Sequence, residues 1–135
     1  MKLTYLSTAL LLASPFVQAN GLDLNLSKTM PAIEKFYLDL HQSPELSYHE
    51  QETGKKIANK LTQLGFKVTS NVGGFGVVGI YKNGEGPTVM IRTDTDGLPI
   101  IEQTGKSYAS KVKVIDEHGV KVGVMHGCGH DMHMT

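Results

Sequence analysis

The sequence has 135 residues, of which 40% are hydrophobic and 19% charged, a balance typical of one globular domain. It carries 13 basic and 13 acidic residues, so its formal net charge is zero. Together with a single arginine, Arg92, this argues against a nucleic-acid-binding surface, which needs a basic excess.

The first 19 residues have the pattern of a secretory signal peptide. Lys2 provides a positive start, residues 3–13 are mostly apolar, and Ala19 ends a segment suited to cleavage before Asn20. The alternative, a buried N-terminal helix, explains the position at the chain start less well, and the apolar run is too short for a membrane span. We therefore expect a secreted or periplasmic protein whose mature part is residues 20–135.

Two helices are predicted next, after a loose lead-in. Apolar residues recur at helical spacing within 30–42, which predicts a helix with one buried face. A second helix is predicted over 48–64, opened by a capping box of Ser47 and Glu50 and closed at Gly65.

Beyond Gly65 the pattern changes to short β-rich runs separated by turn residues. Strands are predicted at 66–71, 77–81 and 88–92, and the last of these is continuously apolar, as in a strand buried on both faces. A β-hairpin is predicted from 112–115 and 120–124. The chain order, two helices followed by strands of which one is predicted to be buried on both faces, predicts a layered α/β domain.

Three histidines lie outside the C-terminal motif. His41 and His49 accompany the two predicted helices, and His118 lies in the predicted hairpin turn. Histidines in such places are more often surface or capping residues than ligands, so none is assigned a role.

The remaining histidines and the only cysteine, which excludes an internal disulfide, lie within eight residues. In an extended segment His126, Cys128 and His130 would point to one side, and a helix starting near His130 would bring His133 onto the same face. A thiolate with imidazoles can bind Zn, Mn, Co or Ni, and Asp131 is placed to orient a ligating imidazole. Two alternatives are a Gly-rich loop with surface histidines and a Cys/His nucleophilic pair.

A second motif, Arg-Thr-Asp-Thr-Asp-Gly-Leu-Pro at 92–99, directly follows the predicted buried strand. Ligand sites in open α/β sheets form beyond the carboxyl ends of strands. Asp94 and Asp96 would point the same way there, toward a metal or a ligating side chain. The alternative is an ordinary Asp-rich turn.

At these two motifs the chain resembles the aminoacylase and hippurate hydrolase family of dinuclear metallo-amidohydrolases. Residues 92–99 match its Arg-x-Asp-x-Asp-Ala-Leu-Pro segment, 125–133 match Met-His-Ala-Cys-Gly-His-Asp-x-His, and 44–47 match Pro-Glu-Leu-Ser. The likeness spans residues 30–135, with Gly97 and Gly127 where alanine is common. It implies that residues 20–135 form the N-terminal part of a three-layer αβα metallo-exopeptidase-like domain, without the lid or dimerisation domain.

The resemblance also implies roles and chemistry. Cys128 and His130 match two metal ligands and Asp96 an active-site carboxylate, while Asp94 and His126 lie in the motifs with supporting roles. The implied cofactors are two divalent ions, zinc or manganese before cobalt or nickel. The implied reaction is hydrolysis of the amide bond of an N-acyl-amino acid or short peptide, in a protein that is a homodimer at full length.

The glutamate base and the distal ligands of the family have no match in the given sequence. We therefore expect the 135-residue chain to be inactive by itself. Two other readings stay open, a small secreted metal-binding module without catalysis and a truncated chain without a function of its own.

Overall fold

A computed structural model describes residues 26–135, so the predicted signal peptide and most of the predicted lead-in lie outside the described residues. The elements in chain order are α1 (Leu26–Gln42), α2 (Gln51–Gln63), β1 (Lys67–Val72), β2 (Gly76–Ile80), β3 (Lys113–Ile115), β4 (Lys121–Gly123) and α3 (His130–His133). Within 26–135, none of the helices has both the length and the apolar character that crossing a membrane requires.

The first predicted helix is confirmed as α1. It begins at Leu26 and not at Met30, so the end of the predicted lead-in is helical, with Pro31 inside the helix. Its C-terminal end carries Leu40, which is 1% exposed and belongs to the small set of fully buried apolar side chains among the described residues.

The second predicted helix is confirmed as α2, but its predicted capping box is wrong. Glu50 is the N-cap residue and makes no side-chain capping hydrogen bond. The carboxylate of Glu45 caps the helix instead, since it accepts hydrogen bonds from the backbone N–H groups of Glu52 (3.1 Å) and Thr53 (2.7 Å). A carboxylate at this end satisfies unpaired N–H groups and suits the helix dipole. Gly65, with φ of +85°, ends the helix as predicted.

The predicted strands at 66–71 and 77–81 are confirmed and pair as a hairpin, and the predicted hairpin from 112–115 and 120–124 is confirmed as well. β1 and β2 pair antiparallel with Lys67 opposite Ile80, and α2 packs on this hairpin. The packing is close at Gly54, where a Cβ atom would lie 2.5 Å from the carbonyl oxygen of Phe75. β3 and β4 pair with Val114 opposite Val122.

The predicted strand at 88–92 is absent, which corrects the sequence-based expectation. This segment has no regular structure, and Val89, Met90 and Ile91 are 82%, 84% and 95% exposed. A continuous apolar run indicates that a segment needs apolar neighbours, but a strand forms only where another strand supplies hydrogen-bond partners. Among residues 26–135, the named strands form only the two hairpins, and neither extends to this segment.

The small core lies where the two sequence motifs meet. Leu98 and Met125 exchange backbone hydrogen bonds of 2.8 and 3.1 Å, and the N–H of Gly97 donates to the carbonyl oxygen of Glu45 at 2.7 Å. The side chain of Val124, 1% exposed, packs beneath this crossing. A Cβ atom at Gly97 would lie only 3.0 Å from a Val124 methyl carbon, so an alanine at this position would need its neighbours to shift slightly.

The contrast between buried Leu40 and exposed Met90 yields a stability prediction. Leu40→Ala should lower the free energy of unfolding by about 2–5 kcal/mol because it leaves a cavity in a core with few members. Met90→Ala should change it by less than about 0.5 kcal/mol, as is usual for an exposed position. Urea unfolding followed by circular dichroism measures both, and a large loss for Met90→Ala would contradict the exposed placement.

Candidate metal centre

His130 and the two aspartates of the 92–99 motif come together, although 34 residues separate His130 from Asp96. His130 begins α3, and Asp96 lies just before the Leu98–Met125 crossing. Nδ1 of His130 is 2.9 Å from the backbone carbonyl oxygen of Asp96 and 3.0 Å from its Oδ1. Nε2 lies 3.9 Å from Oδ2 of Asp94, so both predicted carboxylates face this ring.

These contacts orient the His130 ring. Because its Nδ1 faces only acceptors on Asp96, that nitrogen carries the proton and donates it. The other nitrogen, Nε2, then keeps its lone pair and lies beyond hydrogen-bond distance of Asp94. A histidine whose Nδ1–H is held by a carbonyl or a carboxylate is the arrangement that ligating histidines usually have.

Asp94 is held from the opposite side. Its two carboxylate oxygens lie 2.5 and 3.1 Å from the guanidinium nitrogens of Arg92. This exposed pair is bidentate, a geometry that orients the carboxylate.

Cys128 does not share a face with His126, which corrects the expectation of an extended segment. The chain turns at residues 127–128, and Gly129 adopts a left-handed conformation with φ of 74°. As a result His126 is buried while Cys128 is a free and exposed thiol. Alternation of side chains applies only along a continuous strand, and here the strand ends at Gly123. The predicted helical turn from His130 is confirmed as α3, with the rings of His130 and His133 6.1 Å apart.

His126 is 5% exposed, and neither of its ring nitrogens has a hydrogen-bond partner among the described residues. Burial lowers the pKa of His126, and the nearby charge of Asp131 only partly opposes this. The ring is therefore neutral near pH 7. The buried ring lies close to the carboxylate of Asp131 and the backbone of Asp96.

Asp131 does not bind a predicted ligand. Its Oδ2 accepts a hydrogen bond from Nδ1 of His41 at 2.7 Å, and its Oδ1 accepts one from the backbone N–H of Met132 at 2.9 Å. Nε2 of His41 is 3.2 Å from Oε1 of Glu102. The view of His41 as a surface or capping residue is therefore wrong, because His41 is buried between two carboxylates.

The described residues 26–135 contain no group of three or more His, Cys, Asp or Glu side chains arranged to hold a metal ion. What they contain is one oriented imidazole, an exposed thiol and two carboxylates that face the imidazole. This is a partial set of donors.

Proteins of similar sequence indicate what kind of site these donors belong to. No family model matches the chain. It is 40% identical over 103 residues to the hippurate hydrolase of Campylobacter jejuni, covering 76% of this chain and 24% of the relative. It is 44% identical over 98 residues to thermostable carboxypeptidase 2 of Saccharolobus solfataricus, covering 71% of this chain and 23% of the relative.

A solved structure is similar as well. It is the crystal structure of a Bacillus subtilis protein described as a dinuclear metal binding peptidase from the M20 family. The match has a TM-score of 0.67 and 37% sequence identity, and covers 80% of this chain and 28% of that one. The chain belongs to the M20 family.

The M20 likeness confirms the predicted α/β fold class, a metallo-exopeptidase-like domain present in part. The chain spans about a quarter of the length of the relatives and structure it matches, 23% to 28% in these three cases.

Sequence reasoning missed His41 and Glu102 in this M20 chain. One signal was present, since His41 follows the buried Leu40 directly and lies four residues after Tyr37, with which its ring is in contact at 5.4 Å. It therefore extends the apolar face of α1. Glu102 had no comparable signal, because its partners lie in α1 and in the loop up to Ser110.

The His41 cluster predicts how stability depends on pH. Burial alone would lower the pKa of His41, but hydrogen bonds to Asp131 and Glu102 leave it raised above 6.5. Burial alone would raise the pKa of Glu102, but hydrogen bonds from Thr104, Ser110 and His41 leave it lowered below 4.5. The histidine contribution is thus complete below pH 6.5 and lost as pH rises through the folded pKa. The glutamate contribution is complete above pH 4.5 and lost as pH falls through the folded pKa.

We therefore expect the cluster to stabilise the fold most between pH 4.5 and 6.5. Urea unfolding across a pH series measures this for the parent chain and for His41→Phe. The difference between their unfolding free energies should be largest in that window and shrink on both sides. His49→Gln, at an exposed site, is the control and should follow the parent; a difference for His41→Phe that does not vary with pH would contradict the charged cluster.

Proposed function

We propose that this chain provides part of a dinuclear metal centre in a metal-dependent amidohydrolase, with Cys128 and His130 as ligands. The observation that carries the proposal is the orientation of His130. Its Nδ1 donates to Asp96 at 2.9 Å, which leaves the lone pair of Nε2, beside Asp94, available to a metal ion. A surface histidine without a metal to bind needs no such support.

The available donors suit a divalent metal. The thiol of Cys128 is free and exposed, so it can bind a metal ion without moving out of a core. A thiolate with an imidazole favours zinc, and the neighbouring carboxylates also suit manganese. Divalent ions bound here would polarise an amide carbonyl and make a water acidic enough to attack it near neutral pH.

The other residues of the motifs support the ligands. Asp96 fixes the tautomer of His130, and Arg92 holds Asp94 so that one carboxylate oxygen faces the same ring. His126 brings two unpaired ring nitrogens to the buried side of the motif. Such a nitrogen is available to donate to, or accept from, a group that enters the completed site.

The proposed substrates are N-acyl-amino acids. The relatives include a hippurate hydrolase, an IAA-amino acid hydrolase of Arabidopsis thaliana and an N-acetyl-L-cysteine deacetylase of Bacillus subtilis. The substrates in these names share an amide between an acyl group and an amino acid, and differ in the acyl group. Hydrolysis releases a carboxylic acid and a free amino acid. The signal-peptide pattern of residues 1–19 supports action outside the cytoplasm.

Zinc binding tests the ligand assignment. Titration of the full chain with Zn²⁺ by calorimetry should show binding, and Cys128→Ser or His130→Gln should weaken it by more than about 100-fold, beyond the loss typical of an outer-shell partner. Asp96→Asn should weaken it by about 10–100-fold because it disturbs the support of His130. His118→Gln, in the exposed hairpin turn, is the matched control and should bind like the parent. Equal zinc affinity in the parent and Cys128→Ser would refute the assignment.

A chimera tests the reaction. The matched 103 residues of the Campylobacter jejuni hippurate hydrolase are replaced by those of this chain, and hippurate and N-acetyl-amino acids are assayed with added Zn²⁺ or Mn²⁺. We expect metal-dependent hydrolysis that Cys128→Ser reduces by more than about 100-fold in kcat/KM. The chain by itself should show none.

Two results of this assay would each count against one part of the proposal, the first against the reaction and the second against the ligand assignment. A folded chimera that binds zinc without turnover favours a metal-binding module. A chimera whose activity does not depend on Cys128 removes this residue from the site.

A further inference from the structure

His41 joins three separate parts of the chain at a buried point. It lies in the last turn of α1, its Nδ1 contacts Asp131 of α3 at 2.7 Å, and its Nε2 contacts Glu102, in the segment between β2 and β3, at 3.2 Å. The side chains of His41, Asp131 and Glu102 are 9%, 2% and 0% exposed.

Both carboxylates are held from further sides. Glu102 also accepts hydrogen bonds from the backbone N–H of Ser110 and the hydroxyl of Thr104, each at 2.5 Å. Because each ring nitrogen of His41 faces a carboxylate, both nitrogens donate. The edge of the Tyr108 ring lies against the His41 ring, with 5.4 Å between centroids, so the imidazole has little freedom to turn.

Packing alone does not explain this cluster. Burying charged groups carries a desolvation cost, and apolar side chains of similar volume often stabilise a fold as well or better. What the cluster provides is a defined direction for Asp131, which follows His130 immediately in the chain. α3 has only four residues, and its N-cap, Gly129, makes no side-chain hydrogen bond. The orientation of this turn therefore depends on side-chain anchors.

We propose that His41 is a positioning residue for the metal centre, which acts through Asp131 to set the orientation of α3 and of the His130 ring. This inference rests on the proposed function, since the ligand that it orients is the one assigned there. Asp96 holds the ring of His130 from one side, and His41 holds the backbone that carries this ring from the other.

Two substitutions separate the two hydrogen bonds of His41. The amide nitrogen of asparagine lies the same number of bonds from Cβ as Nδ1 of histidine, and that of glutamine the same number as Nε2. His41→Asn therefore keeps a donor toward Asp131, and His41→Gln keeps one toward Glu102. Both remove the ring, so both should lower the free energy of unfolding to a similar extent.

Zinc titration of the full chain distinguishes positioning from mere stability. His41→Gln should weaken Zn²⁺ binding by about 10–100-fold, the range for groups that orient a ligand, while His41→Asn stays close to the parent. His49→Gln, at an exposed position, is the control for loss of a histidine. Parent-like affinity in His41→Gln, or equal losses in both His41 variants, would overturn the inference.

Nuclear magnetic resonance of the metal-free chain gives an independent readout. The ring nitrogen signals of His130 should shift in His41→Gln and stay in place in His41→Asn. If the parent chain binds no zinc, the proposed function fails, and these signals still decide whether His41 positions His130. Unchanged His130 signals in His41→Gln would refute the positioning role.

Discussion

The backbone pairing of Leu98 with Met125 determines where every candidate site residue lies. These two hydrogen bonds, 2.8 and 3.1 Å long, connect segments that are far apart in the chain. One carries Asp94 and Asp96 on its N-terminal side, and the other carries Cys128 and His130 on its C-terminal side. Without this crossing, the carboxylates and the imidazole would belong to two unrelated loops. Gly97 allows the approach, because a larger residue would press on Val124 and Met125.

Around this crossing the chain combines a small apolar core with a buried polar one. Leu40 and Val124 form the apolar part, while the adjacent His41 and Asp131 belong to the polar part. Hydrogen bonds have direction and apolar contacts do not, so the polar part is better suited to hold a side chain in one orientation. The polar cluster contacts α3 directly, so its directional hydrogen bonds act on the helical turn that carries His130.

The exposed run from Val89 to Ile91 shows the limits of an apolar pattern. It has the composition of a buried strand, and it leads directly into the motif that contains Asp94. Among the described residues, no strand lies beside it. The chain spans about a quarter of the length of its M20 relatives (24% for the hippurate hydrolase), so the relatives have far more chain with which to cover the equivalent surface.

The sequence by itself determined the local structure and the chemistry of the motifs. Helical spacing, turn glycines and short β-rich runs depend on near neighbours, and α1, α2, the strands β1 and β2 and the β3–β4 hairpin were predicted from them. The thiol, imidazoles and carboxylates of the two motifs likewise predicted metal ligation from residue type and spacing. Tertiary structure decided which of these groups meet. The turn at residues 127–128 separates Cys128 from His126, Glu45 replaces the predicted cap of α2, and His41 becomes a buried partner of Asp131. Each of these outcomes depends on a contact between residues distant in sequence or on the direction of a side chain after a turn, and neither is encoded in local spacing.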